Sequence, residues 1–501
     1  MLAAAAGSDK ALERLVPRAR DEERTYAHWV AWNDTIRDAD RAAIRARIAS
    51  LPFSPLISVI IPASSTSEVA FSKSFKSVVT QLYPYWELCV TVDDASHPLL
   101  GKIFGDSAAR DPRIKVTQRD NINCTAAAAK AALSLAMGEF VAFLRVGDIL
   151  AEQALYEVAF ELGGNEQTDI IYTDHDQISL DEERSNPWFK PGWDPDLLLA
   201  QDYISDLVVY RRTLVEKVGF VRPEFEGAEF QDLALRATAA TTRDRIRHLP
   251  AILYHRYEES KTIHSEDALS ALRAVAASRR AVRDHLDSRG HTEALVKPAV
   301  QIPSANRIVW PLPNDAPLVS VIIPTRDRAD LLAQCVAGVL HRTDYCNLEL
   351  LIVDNESVES ATLALFDRLT HADSRVHILH LPGPFNYSTL NNAAARKARG
   401  EVLLLLNNDI DIIDPGWLRE MVSHALRPDV GIVGAKLLYA NEQIQHGGIV
   451  LGPAGAATHV HRLSTGMILA ISVNWRWLAR FQRLLAPAWP FGGKSSLRPA
   501  G

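Results

Sequence analysis

With 501 residues the chain is long enough for two or three domains that each bury a core. Its net charge of −7 leaves no overall basic footprint, so nucleic acid is not an expected partner. The N-terminal apolar run, Met1 to Gly7, is too short for a signal peptide and lacks preceding basic residues. Later apolar runs are too short to span a bilayer, so a soluble, cytoplasmic chain is expected. Cys89, Cys124, Cys335 and Cys346 are scattered without a Cys-x-x-Cys pair and read as reduced thiols.

Residues 1–54 are charged, with Tyr26, Trp29, Val30 and Ile36 near helical spacing, and read as a helical segment. Residues 55–260 change to strand, helix, strand: Ile57–Ile61, Phe71–Gln81 and Trp86–Val92. Strands alternating with helices predict an α/β domain with a mainly parallel sheet. Residues 261–316 hold a helix over Glu266–Arg289, stopped by Gly290, and a connector containing Pro298, Pro303, Pro311 and Pro313. A second α/β domain is expected over 317–463. From Gln443 onward there is no Asp or Glu, and residues 464–501 crowd Trp475, Trp477, Phe481, Trp489 and Phe491 among arginines. Such a tail suits peripheral contact with an anionic membrane, or is the unrelated ending of a domain cut short.

The two α/β domains repeat one another. Pro-Leu-Ile-Ser-Val-Ile-Ile-Pro ends at Pro62 and Pro-Leu-Val-Ser-Val-Ile-Ile-Pro at Pro324, an offset of 324 − 62 = 262. Gly138-Glu139 and Gly400-Glu401 open a second apolar strand at the same offset, 400 − 138 = 262. Between them each copy has a strand ending in polar residues, Asp93-Asp94-Ala95-Ser96 and Asp354-Asn355-Glu356-Ser357. Ligands of open parallel sheets bind beyond the carboxyl ends of the strands, where a carboxylate accepts from a base or ribose hydroxyl. The competing role for such an Asp is an Asx turn or helix cap.

The second repeated strand carries the sharper contrast. Copy two ends Leu406-Asn407-Asn408-Asp409, hard oxygen donors suited to Mg²⁺ or Mn²⁺ on a diphosphate. At the same offset copy one has Gly147 for Asp409, Arg145 for Asn407 and Lys130 for Asn392. Copy one has therefore lost a carboxylate and gained two cations.

These stretches, with Gln81 to Cys89, Phe189 to Leu199, Pro324 to Arg328, Pro382 to Ser388 and Gly434 to Tyr439, make the chain resemble the family 2 glycosyltransferases. The resemblance implies two tandem GT-A (nucleotide-diphospho-sugar transferase, Rossmann-like) domains, the second incomplete. It is narrowest to tandem enzymes of bacterial O-antigen and rhamnan-type polysaccharide synthesis. It implies a nucleotide-sugar site at Thr325, Asp354, Asn355 and Asn392 in copy two and at Asp93 and Asp94 in copy one. Asp409 is the implied metal carboxylate, with Mg²⁺ or Mn²⁺ as cofactor. The implied donor is a UDP- or dTDP-sugar, and the acceptor a polysaccharide or lipid-linked glycan at the inner face of the membrane. The catalytic base expected in Phe225 to Leu233 falls on Phe230, leaving Glu229 and Asp232 as flanking substitutes; in copy two the base region lies beyond Leu463. His255 stands where some relatives place a metal- or phosphate-contacting histidine, though a core role is favoured; His446, His459 and His461 read as loop histidines.

Three functions are weighed. The favoured one is inverting, metal-assisted sugar transfer. A catalytically inactive module that binds glycan or a partner, or a truncated relic, is the alternative. A nucleotidyltransferase or methyltransferase is disfavoured, because Pro62-Ala-Ser-Ser and Pro324-Thr-Arg-Asp replace a Gly-rich phosphate loop.

Overall fold

The computed structural model describes residues 19–63, 68–93, 110–119, 124–179, 181–257, 265–300, 302–451, 457–459 and 486–487. The chain divides into two compact units, with the division falling over residues 292–308.

The first unit opens with helices α1 (Ala19–Asn33) and α2 (Asp38–Ile48). There follow β1 (Ile57–Ala63), α3 (Glu68–Val79), β2 (Trp86–Asp93), β3 (Ile114–Arg119), α4 (Thr125–Leu133) and β4 (Phe140–Phe143). Their strands stand in the order β3-β2-β1-β4, all parallel. The sheet continues through β5 (Ile149–Leu150), α5 (Ala154–Gly164), β6 (Ile170–Ile178), β7 (Arg184–Trp188), α6 (Pro195–Ala200), β8 (Val208–Arg211), α7 (Arg212–Lys217), α8 (Glu229–Ala239) and β9 (Ile246–Tyr257). This half is mixed: β8 runs antiparallel to β4 and β6, while β6 and β9 are parallel. Helix α9 (Ser265–Ser288) ends, as the sequence predicts, before Gly290, whose φ of +82° gives the left-handed turn a glycine makes without strain. A short ribbon, β10 (Leu295–Pro298) with β11 (Asn306–Val309), lies in the connector.

The second unit rebuilds the parallel half: β12 (Val319–Thr325), α10 (Ala329–His341), β13 (Leu348–Asp354), α11 (Ser360–Ala372), β14 (Val376–His380), α12 (Tyr387–Ala395), β15 (Val402–Leu405) and α13 (Trp417–Ala425). Its order β14-β13-β12-β15 is again parallel, and Ala486–Pro487 pairs antiparallel with β15. Of the basic aromatic tail only those two residues are among the described ones. No helix among the described residues is long and apolar enough to cross a membrane.

Both units close the amino ends of their central strands with one buried device. Glu87 on β2 accepts from Ser58 Oγ of β1 at 2.6 Å and from the amides of Met137 and Gly138 at 2.5 and 3.1 Å. Glu349 on β13 accepts from Ser320 Oγ at 2.6 Å and from the Arg399 amide at 2.7 Å, and the Gly400 amide donates to Ser320 Oγ at 2.8 Å. Three neighbouring strands are thus tied through one carboxylate, which also meets a cation, Lys115 at 2.6 Å or Arg399 at 2.7 Å. The repeated glycine is required by space. A Cβ at position 400 would lie 2.6 Å from Ser320 N and 2.7 Å from Leu318 O, and one at 138 would lie 2.6 Å from Leu56 O.

Gly400→Ala should therefore destabilise the second unit by about 1–3 kcal/mol, read as a lower denaturant midpoint with an unchanged slope. The Glu349 carboxyl carries a pH dependence too. Burial alone would raise it, but the hydrogen bonds from Ser320 and Arg399 outweigh that and hold it below its ordinary value. Its contribution is present above the unfolded-state value of about 4.3 and is lost as pH falls through the depressed folded value. Glu349→Gln should flatten the acid limb of the stability curve below about pH 4, checked by urea titrations between pH 3 and 7.

Candidate functional site

In the order β14-β13-β12-β15 the chain winds one way from β12 and then crosses to its other side, so strand order reverses between β12 and β15. A crevice opens there at the carboxyl ends. Pro324 fits this position: β12 pairs with β15 only over Val319–Ile322, so the missing proline N–H falls beyond that ladder.

Thr325 ends β12 and is buried; its hydroxyl accepts from Asn408 Nδ2 at 3.0 Å, bridging the reversal point. Asp354 ends β13 and is 5% exposed. Its Oδ1 accepts from the Ser357 amide at 2.9 Å, and its Oδ2 lies 2.9 Å from His380 Nδ1 on β14. Burial would raise the Asp354 carboxyl, but these bonds win and hold it below its usual range. The Asx turn weighed from sequence is thus formed, and the same turn aims Asp354 at the strand edge. Asn355 is buried, and its Nδ2 donates to the Leu381 and Gly383 carbonyls at 3.1 and 3.0 Å. Its Oδ1 accepts from no protein donor. Asn392 is exposed on α12, while its neighbour Asn391 is buried. Asp409, beyond β15, is exposed and makes no hydrogen bond or ion pair among the described residues, whereas Asp411 is engaged by Arg342.

The first unit reverses its strand order in the same way, between β1 and β4. Two sequence expectations change here. The acidic pairs are not equivalent by register: Ala63 pairs with Val92 where Thr325 pairs with Asp354, so Asp93 stands where Asn355 does. Asp93 follows Glu87 by one residue more than Asp354 follows Glu349, so the position of Asp354 is held by Val92 in the first copy. Asp94 lies outside the described residues. At the second strand, Gly147 has φ +95°, and a Cβ there would lie 3.6 Å from the Tyr257 side chain. Its amide donates to Ser74 Oγ at 2.8 Å. The substitution for Asp409 is therefore a rebuilt turn as well as a lost carboxylate.

The two candidate bases are placed differently from one another. Asp232 on α8 is 1% exposed and tied to Arg222 Nε at 3.0 Å and to Arg236 Nε and Nη2 at 3.0 and 2.7 Å. Its Oδ1 also accepts from Arg222 Nη2, so both oxygens of this weak candidate base are engaged by arginine. Glu229 opens α8, buried, accepting from the Gly227 amide at 2.6 Å; burial raises its carboxyl. Phe230, in the expected base position, packs its ring 5.1 Å from that of Phe143. His255 is buried with Nδ1 2.5 Å from Asp176 Oδ1, the favoured core role. Asp176 also accepts from Tyr26 Oη at 2.7 Å and from Arg184 Nε at 2.6 Å, tying the N-terminal helix to this domain. Lys130 is exposed, His446 lies on a short strand, His459 is described by backbone alone, and His461 falls outside the described residues.

Sequence reasoning missed His380, Asp176 and Asp206. His380 alone had a usable signal, as a polar residue closing an apolar strand.

A strand-order reversal between parallel strands, made twice in one chain and lined in the second copy by Asp354 and Asn355, suits the nucleotide-diphospho-sugar transferases of the GT-A type. The sequence profile described as glycosyl transferase family 2 matches residues 58–219 and 320–464. The chain belongs to glycosyl transferase family 2. It is 39% identical over 432 residues to the uncharacterized protein y4gI of Sinorhizobium fredii, covering 85% of this chain and 47% of that one. It is 38% identical over 454 residues to the O-antigen biosynthesis protein RfbC of Myxococcus xanthus, covering 90% and 35%. A shorter match, 36% over 111 residues, covers 22% of this chain and 42% of WfgD of Escherichia coli, a UDP-Glc:alpha-D-GlcNAc-diphosphoundecaprenol beta-1,3-glucosyltransferase. The chain spans half or less of the length of these relatives.

Asp232→Ala would leave Arg236 without its carboxylate and Arg222 with Asp284 alone. It should cost about 3–5 kcal/mol in the first unit and leave the unfolding transition of the second unit unchanged, measured by denaturant titration.

Proposed function

We propose that the second domain takes a UDP- or dTDP-sugar in the crevice between β12 and β15, for transfer with inversion to a bacterial surface polysaccharide or lipid-linked glycan. The observation that carries this reading is Asp409: an exposed carboxylate without a partner, one residue from the Asn408 to Thr325 bridge that closes the crevice floor. The names of RfbC and WfgD support the acceptor class.

The donor set fits a divalent cation that keeps most of its positions for phosphate and water. Among the described residues no three His, Cys, Asp or Glu side chains converge, so the protein would offer Asp409 and leave the remaining sites to the diphosphate. When bound, Mg²⁺ or Mn²⁺ supplies Lewis-acid stabilisation of the departing diphosphate. Thr325 and Asn408 fix the loop that carries Asp409. Asp354, held ionised by Ser357 and His380, accepts from a base or ribose donor. Asn355 Oδ1, buried beside it, is a further acceptor.

The first domain favours a second reading, binding without turnover. Phe230 fills the base position and Gly147 the metal position, and Asp232 is consumed by Arg222 and Arg236.

Calorimetry of UDP and dTDP with Mn²⁺ tests the principal reading. Metal-dependent binding to the chain, lost in Asp409→Ala at an unchanged melting temperature, is the expected result. Metal-dependent binding that survives Asp409→Ala would remove Asp409 from the site, and no binding to either nucleotide would remove the donor crevice.

A further inference from the structure

The loop after β4 in the first domain holds a cation, Arg145, and has Gly147 where its counterpart after β15 has the carboxylate of Asp409. Arg145 follows β4 by two residues, as Asn407 follows β15, and the equivalence is structural. Ser74 Oγ meets the Arg145 carbonyl at 3.3 Å, as Cys335 Sγ meets that of Asn407 at 3.5 Å. The Arg145 side chain is 42% exposed although acidic and aromatic groups surround it. Its one hydrogen bond, from Nη1 to Asp206 Oδ1, is 3.2 Å long. A guanidinium carries five N–H donors in a planar fork, so most of this fork is unused. An arginine serving only as a counter-ion is better placed by two parallel bonds, as Arg222 is through Nε and Nη2 on the two oxygens of Asp232.

A second guanidinium stands nearby. Arg256 is exposed on β9, and its side chain makes no hydrogen bond among the described residues; burial would raise the Asp206 carboxyl, and Arg145, His175, Arg256 and Lys190 together hold it low. It shares a strand face with Tyr254, two residues before it, whose hydroxyl donates to Asp148 on the Arg145 loop. The acid of that loop is turned away. Asp148 is 7% exposed and also accepts from the Tyr257 amide at 2.9 Å.

The anchor of the pair is rigid. Asp206 and Leu207 have left-handed φ of +73° and +57°, which non-glycine residues adopt at a cost. Lys190 Nζ locks that turn by donating to the carbonyls of Ile204, Ser205 and Asp206 at 3.0, 2.7 and 3.1 Å. Beside it, His175 Nδ1 is buried without a hydrogen bond, 3.6 Å from Asp206 Oδ2.

We infer that Arg145 and Arg256 form a metal-independent site for a diphosphate ester in the first domain's crevice. The guanidinium forks match phosphate oxygens two at a time, and so supply the charge that a cation on Asp409 supplies in the second domain. No bond is made or broken here; the site holds a ligand. Its source is either a nucleoside diphosphate or the diphosphate of a prenyl-linked glycan, which share this chemistry. The inference stands on residues of the first domain and survives a failure of the Asp409 reading.

The test is calorimetric titration of the full chain with inorganic pyrophosphate in EDTA. Wild type and Asp409→Ala should both bind, more weakly at higher salt. Arg145→Gln and Arg256→Ala should each bind roughly 10- to 100-fold more weakly, the loss expected for a charged hydrogen-bonded contact. Arg145→Lys should recover part of the loss. UDP and geranyl diphosphate then separate the sources: the tighter of the two, relative to pyrophosphate, names the class. Absence of pyrophosphate binding by wild type with a normal melting transition would overturn the site, as would variants that bind like wild type. Should Arg145→Gln fail to fold, the exposed Arg256→Ala decides alone.

Discussion

Everything in both domains hangs from one buried carboxylate per sheet. Glu87 and Glu349 each join a serine of the central strand to the backbone that enters the next parallel strand, and a glycine is needed because two backbones approach within reach of a hydrogen bond. A buried carboxylate without those donors would be expensive. With them it fixes the stagger of three strands at their amino ends. The carboxyl ends are then free to diverge, and the crevice is the consequence.

The two crevices diverge in electrostatics far more than in backbone. The parallel ladders run in identical register, Ile57 with Trp86 and Phe140, Val319 with Leu348 and Val402. On that common frame one copy presents a partner-free carboxylate and the other a half-used guanidinium. A shared fold carries no shared activity, and the loops after β4 and β15 are where the copies part.

Much of this was legible in the residues. Runs such as Ser-Val-Ile-Ile-Pro announce buried parallel strands, and their spacing gave the tandem organisation of the sheets, the helix before Gly290 and the position of Asp409 at a strand end. What was hidden depended on contacts distant in the chain or on register. The displacement of Asp93 was within reach of the 262-residue offset, which sets Asp354 against Val92, and the strand pairing bears it out. Asp232 was weighed only as a flanking substitute for a base, and nothing in the sequence signalled that Arg222 and Arg236 hold its oxygens. The mixed half of the first sheet was equally obscure: β8 joins β4 to β6 across more than sixty residues, and Tyr26 reaches Asp176 from 150 positions away.

Gly147 gives this divergence a direction in time. The left-handed turn at that residue, its amide bond to Ser74 and the nearness of Tyr257 were built around a missing side chain. Placing an aspartate there again would oblige an L-residue to take a backbone angle it resists, against an aromatic neighbour. An aspartate placed at 147 by itself would sit on a strained left-handed turn, so the first loop is more than one substitution away from that of its twin.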